Sequence, residues 1–305
     1  MQIIRDGNLR TPCVAALGMF DGVHLGHRAL LREGRALADS LGLPLAVCTF
    51  EPHPLRVLCP ERAPQRLTTF NERARLMGGC GVDVLHVRTF TRALADQPPE
   101  DFIRDLLAAD HPRALVCGYN FTFGREGRGD GALLTAMGNA LGFPVRVMPA
   151  VLHGGAPVSS TRIRDLLLGG ELEAANVLLA SSYSLSGRVV HGKGLGHALG
   201  CPTANVAVPA EKILPACGVY AAEMTLRGQT LPAVVNIGRH PTFPEGGPTV
   251  EAHVLRPLQG DCYGEQVRLS LQAFLRREQT FPTPEALQEQ IARDAEAAEM
   301  RLRRG

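Results

Sequence analysis

The chain has 305 residues, 45% of them hydrophobic, and its 32 basic and 30 acidic side chains leave a formal net charge of +2. That length suits two domains better than one and is enough to bury true apolar cores. Charge this evenly balanced, with no long run of either sign, gives no sign of a nucleic-acid or membrane-surface partner, so small-molecule chemistry fits better.

The eight cysteines, at 13, 48, 59, 80, 117, 201, 217 and 262, form no C-x-x-C pair, and most lie in apolar runs such as LAVCTF and ALVCGY. They read as buried thiols of a reducing compartment. Residues 1–12 are polar and mixed, and no apolar stretch approaches the length of a membrane span, so a soluble cytoplasmic protein is expected.

From residue 14 to about residue 150, short apolar runs alternate with amphipathic stretches. Strands are expected at 14–20, 44–50, 82–89, 114–119 and 144–148, and helices at about 27–41, 71–78, 100–109 and 131–141. Several strands are apolar throughout, which implies burial on both faces and a Rossmann-like, doubly wound parallel sheet. Ligands of such sheets bind beyond the strand C-terminal ends. The first of those ends runs into the turn DGVHLGH, residues 21–27.

His24 and His27 are three apart and are expected to share one face at the start of the first helix. Unpaired N–H groups and the macrodipole favour an anion there, so the pair reads as a phosphate site, with Gly22 and Gly26 letting the backbone approach. A solvated surface turn is the alternative. Metal ligation is disfavoured, because no Glu lies between the two as in H-E-x-x-H and no third ligand is near in sequence.

Two later stretches could serve the same chemistry. In GYNFTFGREGRGD, residues 118–130, Asn120 ends a strand and the glycines allow a tight loop that closes on Asp130; such loops are also common surface turns. In VSSTRIR, residues 158–164, Ser159, Ser160 and Thr161 offer hydroxyls and Arg162 and Arg164 offer guanidinium groups suited to phosphate, unless this is an ordinary capped helix start. The helical pattern that begins there runs out near Leu179.

Short strands then take over, at 183–190, 218–226, 231–237, 249–255 and 265–275, separated by Gly- and Pro-containing turns in the rhythm of an antiparallel barrel. The boundary is expected near Ser182, giving domains 1–182 and 183–305, and residues 284–304 read as a closing helix. Within the barrel, HGKGLGHALGCPTANV places Gly192, Gly194 and Gly196 ahead of Thr203 and Asn205. Glycines so spaced let backbone amides reach an anion, although no Lys-Ser or Lys-Thr pair ends the string as in a Walker A loop.

GMFDGVHLGH, at 18–27, resembles the nucleotidyltransferase signature of bacterial bifunctional riboflavin kinase/FAD synthetases. TFEPHP, LTTFNERARL, GYNFTFGREGRGD and VSSTRIR resemble further segments of that module, in order, and the string ending in PTAN resembles the riboflavin kinase signature, followed by VVNIGRHPTF, VEAHVL and YGEQVRL. The resemblance implies an enzyme that phosphorylates riboflavin to FMN with ATP and adenylylates FMN to FAD, with Mg²⁺ as cofactor. It implies that His24 and His27 stabilise the ATP phosphates, that Ser160, Thr161 and Arg164 assist, and that Asn120 and Asp130 hold flavin or nucleotide. In the barrel it implies that Thr203 and Asn205 ligate Mg²⁺ and phosphate and that Glu251 is the base.

Leu195 and His197 stand where members often carry Arg, and Cys262 replaces a usual Leu. A flavin- or nucleotide-binding regulator on the same fold, or a nucleotidyltransferase for another substrate, are the rival readings. A homo-oligomer is compatible with the sequence but not implied by it.

Overall fold

The computed structural model describes residues 1–9, 11–191, 203–238, 248–256, 260 and 262–303. It divides into two compact units, Met1–Ser159 and Ser160–Gly305.

In the first unit, β1 (Gln2–Arg5), β2 (Cys13–Leu17), β3 (Leu45–Glu51), β4 (Val84–Thr89), β5 (Pro112–Gly118) and β6 (Val145–Met148) form a parallel sheet in the order β1-β4-β3-β2-β5-β6. Helix α1 (Leu25–Leu41) follows β2, α2 (Pro54–Leu58) and α3 (Phe70–Gly79) follow β3, α4 (Arg92–Ala95) and α5 (Pro99–Asp110) follow β4, and α6 (Gly131–Leu141) follows β5. A short hairpin, β7 (Leu152–His153) and β8 (Ala156–Pro157), ends the unit.

Every residue of β2 is buried, which is why its sequence shows no polar alternation. Val14 and Ala16 join one core cluster, with Leu31 of α1 and Met77 of α3. Ala15 and Leu17 point the other way, into a cluster with Phe102 and Ile103 of α5 and Leu134 of α6. One strand thus feeds two cores, as the two-residue period of a strand requires when helices cover both faces. The strand order also reverses here: β3 and β4 lie to one side of β2, and β5 and β6 to the other. The turn carrying His24 leaves the C-terminal end of β2 at that switch point, where open α/β sheets place ligands.

The second unit opens with α7 (Ser160–Leu168) and α8 (Leu172–Leu179). The barrel follows as β9 (Tyr183–Val190), β10 (Thr203–Ala207), β11 (Gly218–Leu226), β12 (Gln229–Gly238), β13 (Thr249–Val254) and β14 (Gln266–Arg276), antiparallel and closed in the order β10-β13-β12-β11-β14-β9. Along β9 buried and less buried residues alternate strictly, one face filling the barrel. The helix α9 (Pro284–Leu302) buries Ala298, and its Asp294 pairs with Arg276 at 2.7 Å.

The strand rhythm changes at Tyr183, yet the helix pair before it belongs to the barrel's unit. Asn176 of α8 gives the reason: its Nδ2 donates to the Leu271 carbonyl at 3.0 Å, and its Oδ1 accepts the Tyr183 N–H at 2.7 Å. β1, β10 and the β7–β8 hairpin carry no clear strand pattern in the sequence, being short or next to a glycine-rich string. Among the described residues the cysteines are free thiols, and no helix is long and apolar enough to cross a membrane.

Candidate functional site: a histidine turn and a barrel row

Three residues of the histidine turn have left-handed backbone angles: Phe20 (φ 53°), Gly22 (φ 86°) and Val23 (φ 43°). For a β-branched residue such as Val23 this conformation is strained, and it persists only where the surroundings impose it. Asp21 supplies the constraint. Its buried carboxylate accepts the N–H of Leu67 at 3.1 Å, the N–H of Thr68 at 3.0 Å and the Thr68 hydroxyl at 3.0 Å. The same hydroxyl oxygen accepts the Gly22 N–H at 3.1 Å. The LTT string therefore clamps the turn from outside it.

His24 is not on the helix face expected for it; it is the N-cap of α1. Its Nδ1 accepts the His27 N–H at 3.4 Å, which leaves the ring proton on Nε2. The capping fold stacks the two imidazoles, with centroids 3.7 Å apart and planes 15° from parallel. Gly26 makes room for this, since a Cβ there would lie 3.2 Å from His24 Cε1. His27 also meets the Phe20 ring at 5.2 Å, and its Nδ1 is sealed from solvent without a partner. Burial above all, with His24 and the charge of Arg73, holds the His27 pKa well below its ordinary value of 6.5. Both rings are thus presented at a helix N-terminus, and His27 is neutral at pH 7.

Beneath the turn lies an ionic group that sequence reasoning missed. Arg73, 2% exposed, donates from Nη1 to the Met19 carbonyl at 2.9 Å and pairs through Nη2 with Glu51. Arg66 grips the same carboxylate with two bonds of 2.7 Å. Burial pushes the Glu51 pKa up, but Arg66 and Arg73 together outweigh it and hold it below the ordinary carboxylate value. In the sequence Glu51 stands in TFEPHP, Arg73 in LTTFNERARL and Arg66 just before the latter, each directly beside apolar residues or a strand.

Leu17 of β2 pairs with Cys117 of β5, so the GYNFTFGREGRGD loop leaves the same end of the sheet as the histidine turn. Asn120 is exposed just after β5, and Asp130 caps α6, accepting the Leu133 N–H at 2.9 Å. Ser160, Thr161 and Arg164 lie on α7, in the second unit.

In the barrel, strand pairing assembles the second constellation. Asn205 of β10 stands directly opposite Glu251 of β13, Thr203 stands opposite His253, and Glu251 is flanked on its other side by Asn236 of β12. Thr203, Asn205, Glu251 and Asn236 are half-buried on one face, while Ala204, Val206, Val250 and Ala252 alternate with them into the core. Thr203, Asn205 and Glu251 offer hydroxyl, carboxamide and carboxylate oxygens, the hard donors that Mg²⁺ prefers. Gly192, Gly194 and Gly196 lie outside the described residues.

A family model of FAD synthetase matches residues 7–162, and one of riboflavin kinase matches residues 179–302. The bifunctional riboflavin kinase/FMN adenylyltransferase of Escherichia coli K12 is 40% identical over 92% of this chain and 90% of its own. Its counterpart from Pseudomonas fluorescens is 38% identical over 98% of this chain and 97% of its own. The chain belongs to the bifunctional riboflavin kinase/FMN adenylyltransferase family. A crystal structure described as a macrolide-efflux protein from Streptococcus pneumoniae shares the fold, with a TM-score of 0.89 and 28% identity over 98% of this chain and 99% of that one.

Within this family member the histidine turn falls in the part matched to FAD synthetase, and the Thr203–Asn205–Glu251 row in the part matched to riboflavin kinase. The sequence argument against His24 and His27 as metal ligands rests on spacing; among the described residues the group with metal-ligand chemistry is a different one, Cys48, His86 and Asp110. All three are buried in the sheet core, where His86 Nδ1 meets Asp110 Oδ1 at 2.5 Å. Burial first, and Asp110 second, raise the Cys48 thiol well above its ordinary value, while the Arg88 charge acts in the opposite sense. Cys48, His86 and Asp110 belong to the core of the family member's first unit.

Proposed function

We propose that this enzyme of flavin-cofactor synthesis runs its two reactions at the two constellations just described. As a family member it phosphorylates riboflavin to FMN with ATP and adenylylates FMN to FAD with ATP, releasing pyrophosphate. In adenylyl transfer an FMN phosphate oxygen attacks the α-phosphorus of ATP, and negative charge grows on the departing pyrophosphate. His24, His27 and the first N–H groups of α1 are assigned to that charge, because donors fixed in advance stabilise developing charge without reorganising. The stacked, capped pair of rings is the observation that carries this reading. Gly22 and Gly26 admit the phosphates, Ser160, Thr161 and Arg164 assist on them, and Asn120 and Asp130 contact the flavin.

In the kinase step the riboflavin 5′-hydroxyl attacks the γ-phosphorus and ADP leaves. Glu251 receives the hydroxyl proton, held on a barrel strand rather than a loop. Thr203 and Asn205 hold the nucleotide phosphates and Mg²⁺, which when bound neutralises phosphate charge; Gly192, Gly194 and Gly196 supply backbone amides. We assign the functional boundary to the neighbourhood of Ser182 and the place of work to the cytoplasm, with small molecules as the only substrates.

Two preparations test the assignment. The intact protein with riboflavin and Mg-ATP, its products resolved by chromatography, should yield FMN and then FAD. The His24→Ala, His27→Ala double variant should stop at FMN, losing about 10²–10³ in adenylylation rate per group. FAD formation from supplied FMN at the wild-type rate in that variant would overturn the role of the turn.

A further inference from the structure

Glu251 has a carboxamide neighbour on each side. The pairing of β10, β13 and β12 sets Asn205 opposite it on one strand and Asn236 opposite it on the other. Register partners of an antiparallel pair point to the same face, with Cβ atoms about 4.5–5.5 Å apart. Asn205 belongs to the PTAN string, whereas Asn236 comes from VVNIG and has no part in the chemistry above.

The strand around Asn236 is fixed: Val235 and Ile237 point into the barrel and are fully buried. Across β11 its partner is the apolar Val219, so the polar neighbour of Asn236 along the row is Glu251. One other carboxylate is close. Asn236 Nδ2 lies 3.3 Å from the place a Cβ on Gly238 would take, and Glu278 Oε1 overlaps that same place. Glu278 itself is exposed, after the end of β14. The Asn236 and Glu251 side chains are cross-strand neighbours that are not hydrogen-bonded to each other in this structure. Because an ionised carboxylate only accepts hydrogen bonds, a bond between them requires the Asn236 amide to turn and donate.

We infer that Asn236 is a positioning residue for riboflavin phosphorylation, its carboxamide N–H holding the Glu251 carboxylate in the orientation from which it takes the 5′-hydroxyl proton. The inference rests on Glu251 as the base. The bonds made and broken are those of the kinase step: the flavin O–P bond forms, the bond to ADP breaks, the proton passes to Glu251, and Asn236 changes no covalent bond. A donor on a paired strand costs little ordering when substrate binds, which is the value of support from a rigid element.

The test is a double-mutant cycle on the full chain. Asn236→Leu removes the donor at similar size, Asn236→Asp keeps the shape but sets a like charge beside Glu251, and Asn236→Ser keeps a donor. Riboflavin phosphorylation should fall about tenfold or more in kcat for Leu, further for Asp, and be partly restored for Ser, as expected for a hydrogen bond to a charged group. The KM for ATP should stay within about twofold, because only the transition-state interaction is lost. Riboflavin binding, read by quenching of its fluorescence, checks that the barrel is folded; if the Leu variant fails that check, the isosteric Asp variant decides.

In the Glu251→Gln background the Leu substitution should add less than about twofold. A wild-type kcat in Asn236→Leu, or full additivity with Glu251→Gln, overturns the inference. So does an effect that vanishes with Glu278→Gln instead, since Asn236 would then act through that carboxylate. A wild-type kcat in Glu251→Gln alone overturns the base itself, a distinct outcome.

Discussion

Thr68 and Asp21 are joined twice, by the backbone N–H and by the hydroxyl of Thr68, both donating 3.0 Å to one oxygen of the carboxylate. The hydroxyl also takes the Gly22 N–H. A side chain 47 positions away in sequence thus holds the strained turn that presents His24 and His27. Thr68→Val keeps the volume but strands the Gly22 N–H and removes a donor from Asp21. It should cost about 1–3 kcal/mol of stability and lower FMN adenylylation while leaving riboflavin phosphorylation at its wild-type rate. Assaying both steps on one preparation decides it; equal losses in both would show that the clamp serves the whole chain rather than this site.

The ionic group under the turn gives a stability prediction. Glu51→Gln leaves Arg73 buried with its charge uncompensated and deprives Arg66 of its bidentate partner. Breaking such a pair from one side costs about 3–5 kcal/mol, so thermal melting should occur well below the wild-type midpoint. An unchanged midpoint would mean that water reaches Arg73 and that the group is not closed.

His27 makes the fold sensitive to acid in a defined window. Its folded-state pKa lies well below the 6.5 expected when unfolded, so below that pH the unfolded chain binds the extra proton. The contribution is fully present above 6.5 and is lost as pH falls, by at most about 1.4 kcal/mol per pH unit until the folded-state value is reached. Denaturant titrations of wild type and His27→Asn between pH 7 and pH 5 should show the variant losing less stability; parallel curves would place His27 in water.

Glu251→Gln keeps the strand and the shape of the side chain but removes the proton acceptor. Riboflavin phosphorylation should fall by about 10²–10⁴, with adenylylation of supplied FMN preserved and Mg-ATP binding by calorimetry little changed. Kinase activity within a few-fold of wild type would leave the metal-held phosphates to carry the transfer.

Much of this fold was legible because it depends on local pattern. The apolar run at Cys13–Leu17 fits a strand covered on both faces, and the alternation in Tyr183–Val190 fits a strand with one buried face. The motifs fall on the histidine turn and on the row across β10 and β13. The register that sets Asn236 beside Glu251 was not legible, since the two residues are 15 positions apart and a strand pattern does not fix which residues of two strands stand opposite each other. His24 was misplaced by one helical position because a capping role depends on backbone angles that an H-x-G-H string does not encode.

The sequence by itself determined the two-part architecture and the family and singled out candidate reacting groups, because periodicity and motif spacing are properties of neighbouring residues. Only the tertiary structure decided what holds those groups: Asp21 against Thr68, Glu51 between Arg66 and Arg73, Asn176 tying α8 to the barrel. These bonds join segments far apart in the chain, and burial gives them their strength. A charge that reads in sequence as an ordinary surface residue becomes, once buried, a group that must find its partner.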